Sequence, residues 1–250
     1  MRSLRALGIA ALTATGIAAA PAARAEIAIG ETGLAVTITP AIQSDYLFRG
    51  ISQTRNRWAG QGTVEMTHTS GVYVGAFVSN VAFAGTNARQ EVDVYAGYRF
   101  TAGTINWDIG AILYTYPGYN QPTGGYDLNY FEIALRASRE FGPVKVSAGL
   151  FYSPDYQLQS GSSLYIEGGL DIQLPFEFVA QGRIGYITID RNPRYGTPDY
   201  MWYSVGITRP LPLGFNATVA WYGTNISQSD CVGGQKICDG RVLFSLTRAF

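Results

Sequence analysis

The chain ends on Arg241-Val242-Leu243-Phe244-Ser245-Leu246-Thr247-Arg248-Ala249-Phe250. The even positions of this segment are apolar or aromatic except for Arg248. A period of two is the pattern of a β-strand whose two faces meet different surroundings. The segment therefore predicts a final strand with one apolar face and an aromatic residue at its end.

This ending resembles the closing strand of a bacterial outer-membrane β-barrel, in which a terminal aromatic residue serves as the assembly signal. The resemblance implies the cell outer membrane of a Gram-negative bacterium as the location. It also implies contact with outer-membrane lipids and recognition of the C-terminal strand by the barrel assembly machinery. Such a chain needs an export signal and an even number of strands.

The start of the chain has the features of a secretory signal peptide. Arg2 and Arg5 form a basic region, residues 6–20 are small and apolar, and Ala23-Arg24-Ala25 is an A-x-A cleavage site. The apolar stretch is shorter than the roughly 20 residues of a spanning helix. An organelle transit peptide would lack this compact apolar core. We therefore expect residues 1–25 to be a cleaved signal peptide and residues 26–250 to form an outer-membrane β-barrel.

Composition excludes several classes of protein. Without the three arginines of the leader, the formal balance is 15 basic against 18 acidic residues. A nucleic-acid-binding protein usually carries a basic stripe, so no nucleic-acid partner is expected. The chain is 47% hydrophobic, yet no apolar run after the leader has the length of a spanning helix. Since only helices and closed barrels satisfy their backbone groups in lipid, alternation of apolar residues predicts a barrel.

Period-two segments bounded by turn residues occur twelve times, each near the roughly 9–11 residues of a tilted membrane strand. The segments are 34–48, 61–69, 72–82, 90–101, 104–116, 127–140, 143–153, 162–174, 176–188, 200–209, 214–223 and 241–250. In segment 90–101, Val92 and Val94 point one way while Glu91 and Asp93 point the other. An apolar face opposite a polar one is expected when lipid lies outside and a polar lumen inside.

The connections between these segments alternate strictly between short and long. The short ones lie at Ser70-Gly71, Ala102-Gly103, Gly142-Pro143, Pro175 and Pro210-Leu211-Pro212-Leu213. The long ones are 49–60, 83–89, 117–126, 154–161, 189–199 and 224–240. Short periplasmic turns and longer extracellular loops have this order. The fold class is therefore all-β, a twelve-stranded antiparallel transmembrane β-barrel with short periplasmic turns and six longer extracellular loops.

A water-soluble β-sandwich is the alternative, because it also has many short alternating strands. Strand length argues against it, and so do aromatic residues grouped near the ends of the strands. We interpret this group as the interfacial girdle of a membrane barrel. Its members are Tyr46, Phe48, Tyr114, Tyr116, Tyr152, Tyr186, Tyr200, Trp202, Tyr203, Trp221 and Tyr222.

One stretch carries a family resemblance. Ser44-Asp45-Tyr46-Leu47-Phe48-Arg49-Gly50-Ile51-Ser52-Gln53-Thr54 resembles the SDYxFRGxSxT opening of the proteobacterial Gcw_chp family, also known as TorF-family porins. Weaker matches of glycine and aromatic residues continue to Gly118. The resemblance implies an outer-membrane channel without naming its solute.

The polar faces of the segments supply candidate pore-lining residues. They are Glu65, Asp93, Arg99, Asp108, Glu132, Arg136, Lys145, Glu167, Asp171 and Arg183. Charged residues inside a small barrel can pair across neighbouring strands and only stabilise it. They can also form a ladder that sets ion selectivity, and here the acidic surplus weakly favours cations. Twelve strands lie between filled barrels of about 8 and open porins of 16–18, so a narrow or partly plugged bore is expected.

The first long loop is a candidate gate. Asp45 and Arg49 lie four residues apart near the outer end of the first predicted strand, and Arg55, Arg57 and Trp58 follow in the loop. The pair Asp45 and Arg49 can simply order the loop, or the loop can fold into the mouth of the barrel. The arginines could equally contact lipopolysaccharide phosphates, which suit a guanidinium.

The sequence offers few residues for catalysis or for metal binding. His68 and Ser70 have the spacing used by outer-membrane lipid-A deacylases, but Ser70 falls in a predicted periplasmic turn. His68 is also the one histidine of the chain, so no histidine-rich metal site can form. We expect no enzyme activity, no cofactor and no metal.

Cys231 and Cys238 lie in the last and longest loop, separated by a stretch that contains Gly233 and Gly234. Two cysteines in an exported chain favour a disulfide. A metal site with two thiolates stays open as an alternative, although structural zinc usually takes four ligands.

Together these patterns predict an outer-membrane channel for passive passage of small solutes or ions. The alternative is a closed outer-membrane barrel whose loops bind lipopolysaccharide or a surface partner. The third hypothesis is a lipid-modifying membrane enzyme.

Overall fold

The computed structural model describes residues 26–250, and the signal peptide predicted for residues 1–25 lies outside the described residues. Three strands of this range have only two residues: β1 (Ile27–Ala28), β3 (Leu47–Phe48) and β4 (Ile51–Ser52). The long strands are β2 (Leu34–Gln43), β5 (Ala59–His68), β6 (Val72–Asn80), β7 (Gln90–Ala102), β8 (Ile105–Thr115), β9 (Tyr130–Phe141), β10 (Val144–Ser153), β11 (Ser163–Gln173), β12 (Val179–Ile189), β13 (Tyr200–Pro210), β14 (Phe215–Thr224) and β15 (Arg241–Arg248).

Within residues 26–250, helical structure is limited to single turns in the connections. One turn of α-helix, α1, covers Asn192–Tyr195. Turns of 3-10 helix cover Gln157–Gln159, Pro175–Glu177, Pro212–Gly214 and Gln228–Asp230. Among residues 26–250, none of the helices has the length and apolar character needed to cross a membrane.

The long strands close into one antiparallel barrel. From β5 to β15 each strand pairs with its neighbours in the sequence, and β2 pairs with β5 on one edge and with β15 on the other. The predicted twelve-stranded antiparallel barrel is confirmed. β1 is an additional strand that pairs with β2 at Val36 and Ala35.

The connections give the barrel two distinct ends. Turns of five residues or fewer join β5 to β6, β7 to β8, β9 to β10, β11 to β12 and β13 to β14. All other connections between barrel strands are longer. We call the two ends the turn end and the loop end, and the predicted alternation of short and long connections holds throughout.

The two faces of the barrel differ as the alternation predicted. On β7, Val94 and Tyr98 are exposed on the outside, whereas Asp93 and Tyr95 are buried inside. The same pattern repeats on the other strands, so apolar side chains form an outer band around a polar and aromatic interior. This is the arrangement expected of a barrel that lies in lipid.

The chain terminus lies at the seam of the barrel. The backbone N–H of Phe250 donates to Ile38, and the N–H of Ile38 donates to Phe250, at 2.9 and 3.1 Å. The side chains of Val242, Phe244 and Leu246 are exposed on the outer face, as predicted. The last strand therefore closes the sheet against the first.

The bounds of the first predicted strand, 34–48, are wrong at the outer end. β2 stops at Gln43, and the following residues turn into the lumen. The Oδ1 atom of Asp45 accepts hydrogen bonds from the hydroxyls of Ser52 and Thr54, at 2.6 and 2.7 Å. These local bonds fold the chain back on itself instead of continuing the ladder.

The prediction of an interfacial girdle is also wrong for most of the aromatic residues assigned to it. Only Tyr152, Tyr186, Tyr203 and Trp221 are exposed on the outer face. The others are buried inside the barrel: Tyr46, Phe48, Tyr114, Tyr116, Tyr200, Trp202 and Tyr222. Four of them occupy inward positions of their strands, namely Tyr114, Tyr200, Trp202 and Tyr222. Tyr116 follows β8, and Tyr46 and Phe48 lie in the segment that turns into the lumen. Most of these rings pack against other aromatic rings. Tyr114 stacks on Tyr130 at 4.3 Å between ring centroids, for example. The core of the molecule is therefore the loop-end half of the lumen.

Candidate functional site: the lumen and its inserted hairpin

Residues 46–53 form a small hairpin inside the barrel, which we call the lumen hairpin. Its strands β3 and β4 pair Leu47 with Ser52 and Phe48 with Ile51. The turn residues Arg49 and Gly50 both have positive φ, 50° and 83°. This is the pattern of a two-residue type I′ turn, for which glycine is preferred at the second position.

Glycine at position 50 is also required by packing. A Cβ atom there would lie 2.8 Å from both the Trp202 Cβ and the Thr224 Cγ2. Neither neighbour is the free end of a flexible chain, so a larger residue would push the hairpin away from the wall. The Arg-Gly pair of the sequence motif therefore shapes the tip of the hairpin and seats it.

Asp45 fixes the base of the hairpin. In addition to Ser52 and Thr54, it binds Arg241 of β15 at 3.0 Å through its Oδ2 atom. The backbone N–H of Gln53 donates to the carbonyl of Tyr46 at 2.7 Å and closes the neck. The motif thus carries its own anchor in one carboxylate and two hydroxyls.

Arg49 fixes the tip. Its Nη2 atom lies 2.8 Å from Glu132 Oε2, and its Nη1 donates to the Tyr156 hydroxyl at 3.3 Å. The guanidinium carbon lies 3.9 Å from the ring centroid of Tyr165 and 5.4 Å from that of Phe151. Burial raises the pKa of Tyr156 well above its usual range, so this hydroxyl stays neutral beside the cation. A buried cation is held here by one carboxylate and by aromatic faces.

The hairpin crosses the whole bore. It leaves the barrel wall after β2, and its tip contacts Glu132 on β9 and Phe151 on β10. In the order of the twelve strands, β9 and β10 lie on the side opposite β2. On the way, Tyr46 packs on Phe77 of β6 and donates to Glu91 of β7 at 2.7 Å. All residues of the lumen hairpin are buried, so it occludes the loop-end half of the lumen.

The last loop holds the hairpin from the loop end. The backbone N–H of Ser52 donates to the carbonyl of Ile237 at 2.9 Å. The neighbouring Cys238 forms a disulfide with Cys231, and both cysteines are buried. The disulfide-closed loop therefore acts as a support for the hairpin rather than as a free surface loop.

Charged side chains pair along the wall in the turn-end half. Arg99 of β7 binds both carboxylate oxygens of Glu65 at 2.8 and 2.9 Å and approaches Asp108 at 3.3 Å. Tyr73 donates to Asp108 at 2.6 Å and places its ring 3.7 Å from the Arg99 guanidinium carbon. A second pair joins Arg183 to Asp171 at 2.5 Å.

The predicted pore-lining residues occupy inward positions of their strands. Glu65, Asp93, Asp108 and Glu132 are buried. The others are half-buried, namely Arg99, Arg136, Lys145, Glu167, Asp171 and Arg183. Ion pairs tie six of the ten to the wall or the hairpin. Pairing across strands is therefore the main observed interaction of this set, and a role in conduction stays a prediction.

The four predicted gate residues separate into two groups. Asp45 and Arg49 lie at the base and tip of the lumen hairpin. Arg55 and Arg57 are exposed at the loop end beside Trp58, whose exposed fraction is 63%. The sequence reasoning missed Arg241 and Glu91 as partners of the hairpin. Glu91 shares the inward face of Asp93, so the alternation could have identified it, but no sequence pattern links Arg241 to Asp45.

The candidate catalytic pair lies at the turn end. The Nδ1 atom of His68 and the hydroxyl of Ser70 are 2.8 Å apart in an exposed turn. In the described part of the chain, no group of three or more His, Cys, Asp or Glu residues has a geometry that could hold a metal ion.

Comparison with known proteins adds a family and a fold. A family model described as "Bacterial protein of unknown function (Gcw_chp)" matches residues 27–250. No curated protein matches the sequence significantly. The solved KdgM porin in complex with disordered oligogalacturonate is 11% identical with a TM-score of 0.53, and the match covers 86% of this chain and 98% of that chain. The NanC porin is 7% identical with a TM-score of 0.56 and the same coverage. At these identities the likeness shows a shared barrel fold.

Proposed function

The chain belongs to the Gcw_chp family, and from its structure we propose that it is an outer-membrane channel for small solutes or ions, closed by the lumen hairpin. One observation carries this proposal: the buried hairpin crosses the bore from β2 to Glu132 on the opposite wall. Below it, the turn-end half is lined by half-buried charged residues. A polar half-lumen that is closed by a segment outside the barrel wall supports a channel that opens when the lumen hairpin leaves.

Opening requires the hairpin to leave the lumen. The motion separates Arg49 from Glu132 and exposes both to water, while the barrel wall keeps its strand pairing. Removing one partner of a buried ion pair typically costs about 3–5 kcal/mol, because the other charge stays buried. The Arg49–Glu132 pair is therefore one of the contacts that hold the closed state, and the one that joins the tip of the hairpin to the opposite wall.

The charge balance of the lumen changes when the hairpin leaves. Arg49 moves out with the hairpin, whereas its partner Glu132 stays on the wall. Glu91, which accepts from Tyr46, and Asp93 also stay there, on the inward face of β7. The open loop-end half is then acidic. Acidic rings favour cations in channels. We therefore propose a weak preference for cations in the open state, with small polar solutes sharing the path.

A second candidate function follows from the exposed loop end. Arg55 and Arg57 lie there beside the exposed Trp58, a set of side chains that fits lipopolysaccharide phosphates and acyl chains. In this reading the barrel stays closed and its loops bind lipopolysaccharide or a surface partner. Location in the outer membrane, export by residues 1–25 and assembly through the C-terminal strand are common to both proposals.

Conductance in a planar bilayer tests the channel proposal. We compare the wild type with Glu132→Gln, which removes the carboxylate that binds Arg49. The matched control is Asp108→Asn, which removes another buried lumen carboxylate without a contact to the hairpin. We expect rare steps for the wild type and for the control, and frequent steps for Glu132→Gln. If a folded, heat-modifiable Glu132→Gln barrel never conducts, the lumen does not open and the closed-barrel function is favoured.

A further inference from the structure

We propose that the outer face of the turn end, over strands β12 to β15, binds the headgroup of an anionic phospholipid. The rim patch consists of two arginines and three phenylalanines: Phe178, Arg209, Phe215, Arg248 and Phe250. The inference concerns the outside of the barrel, so it does not depend on whether the lumen conducts.

The two arginines lie on the outer face and over aromatic rings. The guanidinium carbon of Arg209 lies 4.9 Å from the ring centroid of Phe178. That of Arg248 lies 4.3 Å from Phe250 and 5.4 Å from Phe215. Within residues 26–250, no side-chain carboxylate forms an ion pair with either arginine. Both cations therefore lie over rings and, in the described part of the chain, make no direct ion pair with a carboxylate side chain.

Strand register places the two arginines close to each other. Arg209 is opposite Ala217 of β14, Ala217 is opposite Leu246 of β15, and Arg248 follows two residues later. Strand spacing of about 4.8 Å and a rise of about 3.3 Å per residue put their Cα atoms about 12 Å apart. Two arginine side chains can converge on one phosphate or diphosphate headgroup over this span.

Two neighbouring turns place large apolar side chains beside this patch. Leu174-Pro175-Phe176-Glu177-Phe178 and Leu211-Pro212-Leu213-Gly214-Phe215 have the same geometry, each closed by a bond from the first N–H to the last carbonyl at 2.8 and 2.7 Å. Phe176 and Leu213 have positive φ, 61° and 65°, and their exposed fractions are 82% and 77%. Bulky residues rarely adopt this conformation.

The paired turns suit a lipid interface better than water. In water, the exposed phenylalanine and leucine would gain no free energy to offset the strain of their backbone. Acyl chains next to a headgroup would offset it, because contact with them removes this apolar surface from water. Arginine over an aromatic ring next to exposed apolar side chains is a combination that matches a phosphate on top of acyl chains. An anionic phospholipid of the inner leaflet is therefore the occupant.

The chain offers a matched control on the same rim. Arg139 of β9 lies 4.6 Å from the ring centroid of Phe141, on the outer face and without an ion pair in the described part of the chain. It stands alone, because the other arginine of β9, Arg136, faces the lumen, and the turn from β9 to β10 is not of the Leu-Pro type. Removing it deletes the same charge and ring contact outside the rim patch.

Lipid retention tests the proposal. Purified full-length barrel is reconstituted in vesicles of phosphatidylcholine and phosphatidylglycerol in equal parts and released into detergent, and retained lipids are counted by mass spectrometry. We expect the wild type to retain phosphatidylglycerol preferentially. Arg209→Gln and Arg248→Gln should each lower this preference about fivefold, the factor expected for one basic residue at an anionic surface. Arg139→Gln should leave it unchanged.

Two results would overturn the proposal. One is a wild type without preference for phosphatidylglycerol, and the other is an Arg139→Gln variant that loses as much as Arg209→Gln. Arg248 lies on the seam strand, which pairs with β2. If Arg248→Gln does not fold, the result for Arg209→Gln, which lies away from the seam, tests the proposal alone. The readout involves no conductance, so its failure is distinguishable from a failure of the channel proposal.

Discussion

Arg49 and Glu132, separated by 83 residues in the sequence, form an ion pair of 2.8 Å whose side chains are 4% and 0% exposed. The first lies at the tip of the lumen hairpin and the second on the opposite wall of the barrel. Because the pair is buried, loss of one partner costs far more than replacement of both by neutral groups. This asymmetry makes the contact testable.

A double-mutant cycle on this pair should show strong coupling. Arg49→Gln and Glu132→Gln each leave one buried charge alone, and we expect each to raise the open fraction about 100-fold or more, corresponding to about 3 kcal/mol. The double variant places two neutral amides together and should open less than either single variant. Single-channel recording measures the three open fractions. Additive effects would show that the two residues act independently.

Gly50→Ala should undock the hairpin. The new Cβ would clash with Trp202 and Thr224, and the residue would have to keep a φ of 83°. We expect the loop 44–58 of the folded barrel to become a protease target. Gly60→Ala is the control, because a Cβ there meets nothing within 4 Å and its φ is not positive. Equal cleavage of both variants would contradict the seating of the hairpin at Gly50.

Reduction of the disulfide should loosen the hairpin. The bond between Cys231 and Cys238 closes a short ring in the last loop. The loop entropy that this ring removes corresponds to a stabilisation of about 2.5 kcal/mol. This loop holds Ser52 through the Ile237 carbonyl. We expect the open fraction to rise after a reductant is added, and by less than in Glu132→Gln. A variant with both cysteines replaced by serine should not respond to the reductant.

The ion selectivity of the open channel should depend on the pair of Arg183 and Asp171 in the turn-end half. Arg183→Gln leaves Asp171 without its partner and should shift the preference toward cations, whereas Asp171→Asn should shift it toward anions. The reversal potential across a gradient of potassium chloride measures both, in the Glu132→Gln background that opens often. Arg139→Gln, on the outer face, should leave the reversal potential unchanged. Shifts of the same sign for both lumen variants would exclude a conduction path along this wall.

The sequence predicted the barrel well because two independent patterns agree. Period-two alternation located each strand, and on β7 it separated Val94 outside from Asp93 inside. Alternation of short and long connections then fixed the strand number. Both patterns are local, and in a barrel each strand pairs mainly with its neighbours in the sequence.

The sequence left a loop folded into the mouth as one alternative, and it could not place the hairpin because the contacts that seat its tip and base join residues far apart in the sequence. Tyr46 and Phe48 continue the apolar pattern of β2, so they resemble the end of a membrane strand. Local bonds of Asp45 with Ser52 and Thr54 start the turn inward. Tertiary contacts, such as Arg241 with Asp45 and Glu132 with Arg49, then hold the segment in the lumen. For the same reason the buried aromatic residues were assigned to an outer girdle. For Tyr114, Tyr200, Trp202 and Tyr222 the inward position in the alternation was the available signal. Tyr114, for example, shares its face with Asp108.

Excision of the hairpin tests the central claim most directly. Gln53 and Tyr46 are joined by a backbone hydrogen bond of 2.7 Å, so residues 47–52 can be replaced by two glycines that join the same two residues. The Ser52 contacts are lost, but Thr54 and Arg241 stay in the chain as partners of Asp45. Single-channel conductance of this variant is compared with that of the wild type in the same bilayer. We predict stable open steps for the excised barrel and a mostly closed wild type. Equal step size and equal open fraction in both, or a folded excised barrel that does not conduct, would contradict the role of the hairpin as the closure of a channel.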